Sequence, residues 1–286
     1  MNRLFLALAL SASSLAAAAQ PVPSECRSML AAIGAPVVRP VHEDDRILCR
    51  DGYVLLHSSE RKTPYWVVER LSPLRFMGPG DRKAQGDPFA TDPDLLAEGL
   101  PAATSNDYLG KKSATQRRGF DRGHMAPAAD MKFSEEATTQ SFYMSNMAPQ
   151  QGLNLNRHIW ANLEALMRTW ACDRRDIYVL TGPIYDDEGF DTLGPGDVAV
   201  PTAFFKIAFE PRQRRVVAFI LPNAAVKKKG KKAEVILDGF RVAVNEIEQR
   251  TGMRFFGKLD ARTRRQLVSS TAPMWTTVRG CVATDE

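Results

Sequence analysis

The chain has 286 residues and a formal net charge of +5, with 44% of its residues hydrophobic and 25% charged. These are globular proportions, enough for one large domain or two small ones. Beyond the N-terminus no stretch approaches the roughly twenty uninterrupted apolar residues that a membrane helix needs, which excludes an integral membrane protein built from helices.

In chain order, residues 1–19 read as a signal peptide: a basic start at Arg3, an apolar run from Leu4 to Leu10, then small residues ending at Ala17, Ala18 and Ala19. Cleavage there leaves a mature chain of one domain, 20–286, beginning at Gln20, with a periplasmic or secreted location and no membrane contact; an uncleaved N-terminal anchor is the competing reading. All four cysteines lie in the mature part, which suits disulfides in an oxidising compartment. Four cysteines allow three pairings, and we favour Cys26–Cys49, closing a short N-terminal loop, with Cys172–Cys281 tying the tail to the body.

A Pro-containing lead occupies residues 20–40. Alternation predicts strands over 52–58 and 64–71 with a turn between them. Residues 72–118, rich in Gly, Pro, Asp and Lys, predict a long loop with one short helix near Asp92–Gly99, and long ordered loops often serve function. Residues 139–149 predict a short strand ending in a turn, and Asn156 to about Cys172 a helix. Three strands follow at 176–185, 202–210 and 215–222, with connections that suit antiparallel pairing. The run KKKGKK at 227–232 holds five lysines; it is either a solvated hairpin tip or a salt-dependent attractor of phosphate backbones. An amphipathic helix is predicted over 233–252, ending at Gly252. Strands outnumber helices without regular alternation, so the expected class is α+β, a mostly antiparallel sheet core with packed helices.

Two clusters carry chemistry. In GFDRGHMAPAADM (119–131), Asp121, Arg122, Gly123 and His124 are consecutive. In NRHIWANLEALMRTW, the residues Asn156, Trp160, Glu164 and Arg168 recur every four positions and share one helix face. An ordinary Glu164–Arg168 surface pair with Asn156 as a cap would explain the second cluster alone. Asn146, in SNMAPQ, lies between the two. Together these types suit phosphodiester hydrolysis: a histidine, with an ordinary pKa of about 6.5, activates water. Oxygen-ligated Mg²⁺ serves the leaving oxygen, and arginines meet the developing charge. His42, His57 and His158 need no active role; His158 is about 200° around the helix from Asn156. Trp66, Trp170 and Trp275 read as core, and Phe133 and Phe142 as packing rather than base stacking.

DRGHMAPAAD, SFYMSNMAPQ and NLNRHIWANLE, in this order, resemble the DNA/RNA non-specific endonuclease family, which includes secreted sugar-nonspecific nucleases and mitochondrial endonuclease G. The motifs cover about 121–164, and softer similarity extends over most of the mature chain. The resemblance implies a ββα-metal nuclease fold and a Mg²⁺ cofactor, with Mn²⁺ as an alternative. It makes His124 the general base, Asn156 the direct metal ligand and Glu164 the holder of metal-bound waters. By the same carry-over Asn146 orients substrate or base, Arg122 faces phosphate, and Asp121 holds the motif or orients a neighbour. An arginine upstream of the motif stabilises the transition state in the family, and Arg82 is the candidate here. The chain has one residue more than the secreted type between Asn146 and Asn156, which keeps Asn154 open as the ligand. The implied activity is cleavage of DNA and RNA through the phosphate backbone to 5′-phosphate ends, and the resemblance allows a homodimer. Alternatives are a secreted phosphodiesterase acting on nucleotides or small phosphate esters, and a nucleic-acid-binding protein without catalysis.

Overall fold

Alternating apolar residues along β-branched and aromatic-rich segments build the central sheet. The computed structural model describes residues 21–81, 87–108, 119–186, 189–227 and 230–277. The leader with Gln20, Arg82, Lys228, Lys229 and Cys281 fall outside the described residues.

The strands are β1 (Arg46–Cys49), β2 (Tyr53–Ser58), β3 (Thr63–Leu71), β4 (Phe120–His124), β5 (Met147–Gln151), β6 (Ile177–Ile184), β7 (Thr192–Leu193), β8 (Val198–Ala199), β9 (Ala203–Glu210), β10 (Arg215–Pro222) and β11 (Arg241–Val242). The helices are α1 (Arg27–Leu30), α2 (Pro93–Ala97), α3 (Glu135–Ser141), α4 (Ala161–Arg174), α5 (Ala233–Asp238), α6 (Val244–Thr251) and α7 (Ala261–Val268). Seven strands form one antiparallel sheet in the order β1-β2-β3-β6-β9-β10-β11, while β4 pairs with β5 and β7 with β8 in two-stranded ribbons. The fold is the expected α+β class.

Helices cover both faces of the sheet, so β6 and β9 are buried along their whole length although they are antiparallel. Successive side chains point to opposite faces. Leu55, Val67, Val179, Phe204 and Phe219 pack with Trp160, Leu163, Met167 and Trp170 of the α4 layer. Val54, Trp66, Leu180, Phe205 and Phe209 pack on the other face with Leu30, Ile247, Phe255 and Val268. This alternation also turns three polar residues, Glu69, Thr181 and Lys206, toward α4, since each sits two positions from a residue of that layer.

Several expectations are corrected. Residues 139–149 are not a strand ending in a turn: α3 runs to Ser141, a tight turn spans Met144–Asn146, and the strand begins where the turn was expected. Ser134 caps α3 through its side chain, accepting from the Ala137 amide at 3.2 Å, so the polar stretch TTQS continues a helix. The helix expected from Asn156 begins earlier, as a π-helical segment over Gly152–Trp160. The single helix over 233–252 is broken at Gly239, because Arg241 and Val242 leave to pair with Phe219 and Ala218 at the sheet edge. Gly252 does end α6, with φ of 67° in the left-handed region that glycine tolerates. Cys26 and Cys49 form the favoured disulfide. Cys172 is also disulfide-bonded, and its favoured partner, Cys281, lies outside the described residues.

Candidate active site

β4 and β5 run antiparallel from Phe120 opposite Gln151 to His124 opposite Met147. The chain then turns directly into the π-helical segment and α4, a strand–strand–helix unit. Gln151 caps the widened first turn, its Oε1 accepting from the amides of Asn154 and Leu155 at 3.2 Å each. Asn223 ties this corner down by accepting from the Gln151 amide at 2.8 Å and donating to the carbonyls of Pro149 and Pro201 at 2.9 and 2.8 Å. π-Helical turns frequently accompany functional sites.

A cleft of about 930 Å³ opens between the ribbon and the helix, lined by Asp121, Arg122, His124, Asn156, Arg157, Glu164 and Arg168 among others. Thus Asp121, Arg122, His124, Asn156 and Glu164, singled out in the sequence, meet in one cavity. Asn154 is not among its lining residues, and Arg82 lies outside the described residues. Asn146 is fully buried and turned away from the cavity. Its Oδ1 accepts from the Ala126 amide at 2.9 Å, and its Nδ2 donates to the carbonyls of Ala126 and Ser141 at 2.9 and 2.8 Å. Its backbone carbonyl accepts from Met125 at 3.0 Å. Asn146 therefore clips the backbone just beyond His124 and holds the loop that carries the imidazole.

Asp121 links strand to helix. It accepts from Asn156 Nδ2 at 2.9 Å and, bidentately, from Arg157 at 2.6 and 2.8 Å. A planar fork facing a carboxylate is the strong form of such a pair. The hydrogen bonds and charge of Asp121 raise the Arg157 pKa. Because Nδ2 of Asn156 is committed to Asp121, the amide oxygen is left as the atom to meet a cation. The unit is compact enough to require glycine: a Cβ on Gly152 would stand 2.7 Å from Asp121 Oδ1, and one on Gly123 would stand 2.4 Å from Gln150 Oε1.

Arg122 is held from three sides. Its Nη1 lies 3.3 Å from Asp87 Oδ1 and 3.2 Å from Ser105 Oγ, and its guanidinium lies 3.7 Å from the centre of the Phe89 ring. The His124 ring packs edge-on against Phe142 at 5.1 Å and tilted against Phe89 at 5.6 Å.

Beneath the cleft lies a buried charge layer. Arg168 pairs with Asp130 at 3.0 Å, their side chains 3% and 1% exposed, so its guanidinium is buried and does not lie on the surface. Lys206 is buried, donates to Thr181 Oγ1 at 2.7 Å and stands 4.9 Å from the Trp160 ring. Burial lowers the Lys206 pKa, and the negative charges of Glu164, Glu69 and Asp130 resist that shift. Burial and Asp130 push Glu69 upward, opposed by Lys206.

Sequence reasoning missed Arg157, Phe89, Asp87, Ser105 and Lys206. Arg157 escaped because the helical stripe drew attention to every fourth residue, and Arg157 follows Asn156 directly. Lys206 had a signal, a lone charge inside FFKIAF. The three loop residues had none. His57 is buried, its Nε2 2.8 Å from the Pro101 carbonyl; His42 and His158 are exposed and do not line the cleft.

Among known proteins, a family model described as DNA/RNA non-specific endonuclease matches residues 34–262. Nuclease C1 of Cunninghamella echinulata var. echinulata is 35% identical over 233 residues, covering 78% of this chain and 87% of that protein. Mitochondrial endonuclease G of Homo sapiens is 34% identical over 225 residues, covering 74% and 70%. Among solved structures, one described as the EndoG/EndoGI complex, with the mechanism of EndoG inhibition, superposes with a TM-score of 0.69 at 26% identity, covering 85% of this chain and 96% of that one.

Proposed function

Since this chain belongs to the DNA/RNA non-specific endonuclease family, we propose that it is an exported nuclease hydrolysing phosphodiester bonds of DNA and RNA with His124 as the general base. The observation that carries this reading is the shared cleft: His124 on β4 and Asn156 on the helical segment face one cavity rimmed by Arg122 and Arg157, with the buried Arg168 at its floor. His124 takes the proton of the attacking water, and a ring held by two aromatic neighbours is aimed before substrate arrives. Arg122 and Arg157 meet the phosphate oxygens as charge builds. These groups read backbone and not base edges, which accounts for little sequence preference. By family resemblance the products carry 5′-phosphates.

The residues fit a hard divalent cation. Among the described residues no three His, Cys, Asp or Glu converge as a cage, and Mg²⁺ or Mn²⁺ bound through one or two protein oxygens does not need one. The Asn156 amide oxygen, oriented by Asp121, would hold the ion directly, and the Glu164 carboxylate would hold its waters. The bound ion supplies Lewis-acid stabilisation of the leaving oxygen. Export rests on the leader and on the Cys26–Cys49 disulfide.

The test is cleavage of plasmid DNA and structured RNA by the mature protein, with Mg²⁺ or EDTA, beside His124→Ala, Asn156→Ala and Asn154→Ala. We expect Mg²⁺-dependent cleavage of both substrates, lost in the first two variants and kept in the third. Intact nucleic acid with the wild type refutes the nuclease reading; loss in Asn154→Ala with retention in Asn156→Ala reassigns the ligand. An intact mass that retains residues 1–19 in exported protein refutes the cleavage site.

A further inference from the structure

We propose that Phe89 is a positioning residue of this cleft, setting the plane of the Arg122 guanidinium and, with Phe142, the orientation of the His124 imidazole. The inference rests on the nuclease reading for its catalytic consequence, and on geometry for the rest.

Phe89 lies in the connection between β3 and β4, more than thirty positions before His124, yet its backbone is fastened beside the site. The Ala90 amide donates to the Phe142 carbonyl at 3.4 Å, and the Met144 amide to the Ala90 carbonyl at 2.8 Å. Ser105 Oγ donates to the Phe89 carbonyl at 3.3 Å, and the same hydroxyl lies against Arg122. One short segment thus reaches both the α3–β5 connection, which Asn146 ties to the His124 loop, and the arginine of the motif.

The ring itself makes three contacts. Arg122 stacks on it at 3.7 Å. Phe142 meets it edge-on at 5.1 Å with an interplanar angle of 86°, and His124 meets it at 5.6 Å and 59°. His124 and Phe142 are themselves 5.1 Å apart at 86°, so the three rings close a triangle. This matters because the second torsion of a histidine is broad and has no sharp intrinsic preference. Walls on two sides narrow the range open to the ring, and edge-to-face packing is the geometry that aromatic quadrupoles favour. Arginine has a parallel need. Its donors lie in the guanidinium plane, so a ring stacked on one face fixes the plane while leaving the rim for oxygens. Asp87 and Ser105 occupy Nη1, which orients the fork within that plane.

Phe142 is wholly buried and belongs to the fold. Phe89 is half-buried and lines the cleft, so its ring is the wall that can be removed while the core stays. It carries no proton and no charge, and acts only through Arg122 and His124.

The experiment compares Phe89→Ala, Phe89→Leu and Phe89→Trp with wild type, each confirmed folded by circular dichroism. We expect Phe89→Ala to lower kcat/KM on plasmid DNA on the order of 10- to 100-fold, mostly through kcat, with Trp restoring more than Leu. In an Arg122→Ala background the same Phe89→Ala change should cost distinctly less, since one of the groups it orients is already gone. A second readout does not need cleavage: the His124 ring proton resonances should shift in Phe89→Ala and stay in place in Phe133→Ala. Leu matching wild type in rate, an equal cost in both Arg122 backgrounds, or unmoved His124 resonances overturns the proposal. A wild type that cuts no nucleic acid while the resonances still move sinks the nuclease reading but leaves the positioning of His124 supported.

Discussion

Replacing Gly152 by alanine probes the Asp121 clamp with one methyl group. The new Cβ would lie 2.7 Å from Asp121 Oδ1, 2.8 Å from Cγ and 2.8 Å from Oδ2. Ordinary contacts begin at about 3.5 Å, so the carboxylate must retreat by roughly 0.7 Å or the strand and helical segment must part. Either motion stretches the bonds to Asn156, now 2.9 Å, and to Arg157, now 2.6 and 2.8 Å, toward the limit of useful geometry. Overpacking of this kind costs about 1–3 kcal/mol, and a displacement near 1 Å in a catalytic assembly can cost on the order of 100-fold in rate. Gly119→Ala is the internal control: the same methyl, two residues before Asp121, meets nothing within 4 Å. Initial rates on plasmid DNA and thermal unfolding of both variants decide the matter. A second change, Asp121→Ala, removes the collision and should restore part of the stability lost in Gly152→Ala while leaving cleavage low. Wild-type rate and Tm in Gly152→Ala would show that the clamp does not position Asn156.

Lys206→Met keeps the volume but removes the cation facing Glu69, Glu164 and Asp130. Leaving those buried carboxylates without the cation that faces them costs about 3–5 kcal/mol, on the order of 10 °C in Tm for a chain of this size. Calorimetry should show that loss, with partial recovery on adding Glu69→Gln, and a variant as stable as wild type refutes the charge layer as described. His57 titrates below its ordinary value because burial opposes its charge. Its folded pKa is therefore lower than its unfolded one, so the native state binds fewer protons between the two. That contribution to stability is complete above the unfolded value, about 6.5, and declines as pH falls below it. Urea midpoints should fall less steeply between pH 8 and pH 5 in His57→Gln than in wild type, and identical slopes would refute the assignment.

Period-2 alternation made most central strands legible, and a helical spacing placed Glu164 and Asn156 on one face. The breaks came where tertiary demands overrode local pattern. Arg241 and Val242 interrupt an amphipathic stretch to complete the sheet edge. The helix of the site opens as a wide turn because Gln151 and Asn223 fasten its start.

The residue types proposed for the chemistry are written in the primary structure. Histidine, amide, carboxylate and guanidinium in DRGH and in the stripe from Asn156 define the reaction class, because protonation behaviour and ligand hardness belong to each side chain. Orientation does not belong to a side chain. Asn146 holds the backbone beyond His124, Asp121 turns the Asn156 amide, Phe89 stacks on Arg122, and Lys206 sits under Glu164's helix. Each depends on contacts between segments distant along the chain. Only the assembled seven-stranded sheet, with α4 laid across it, brings those segments within hydrogen-bonding and packing range, where forces that fall off within a few ångströms can act.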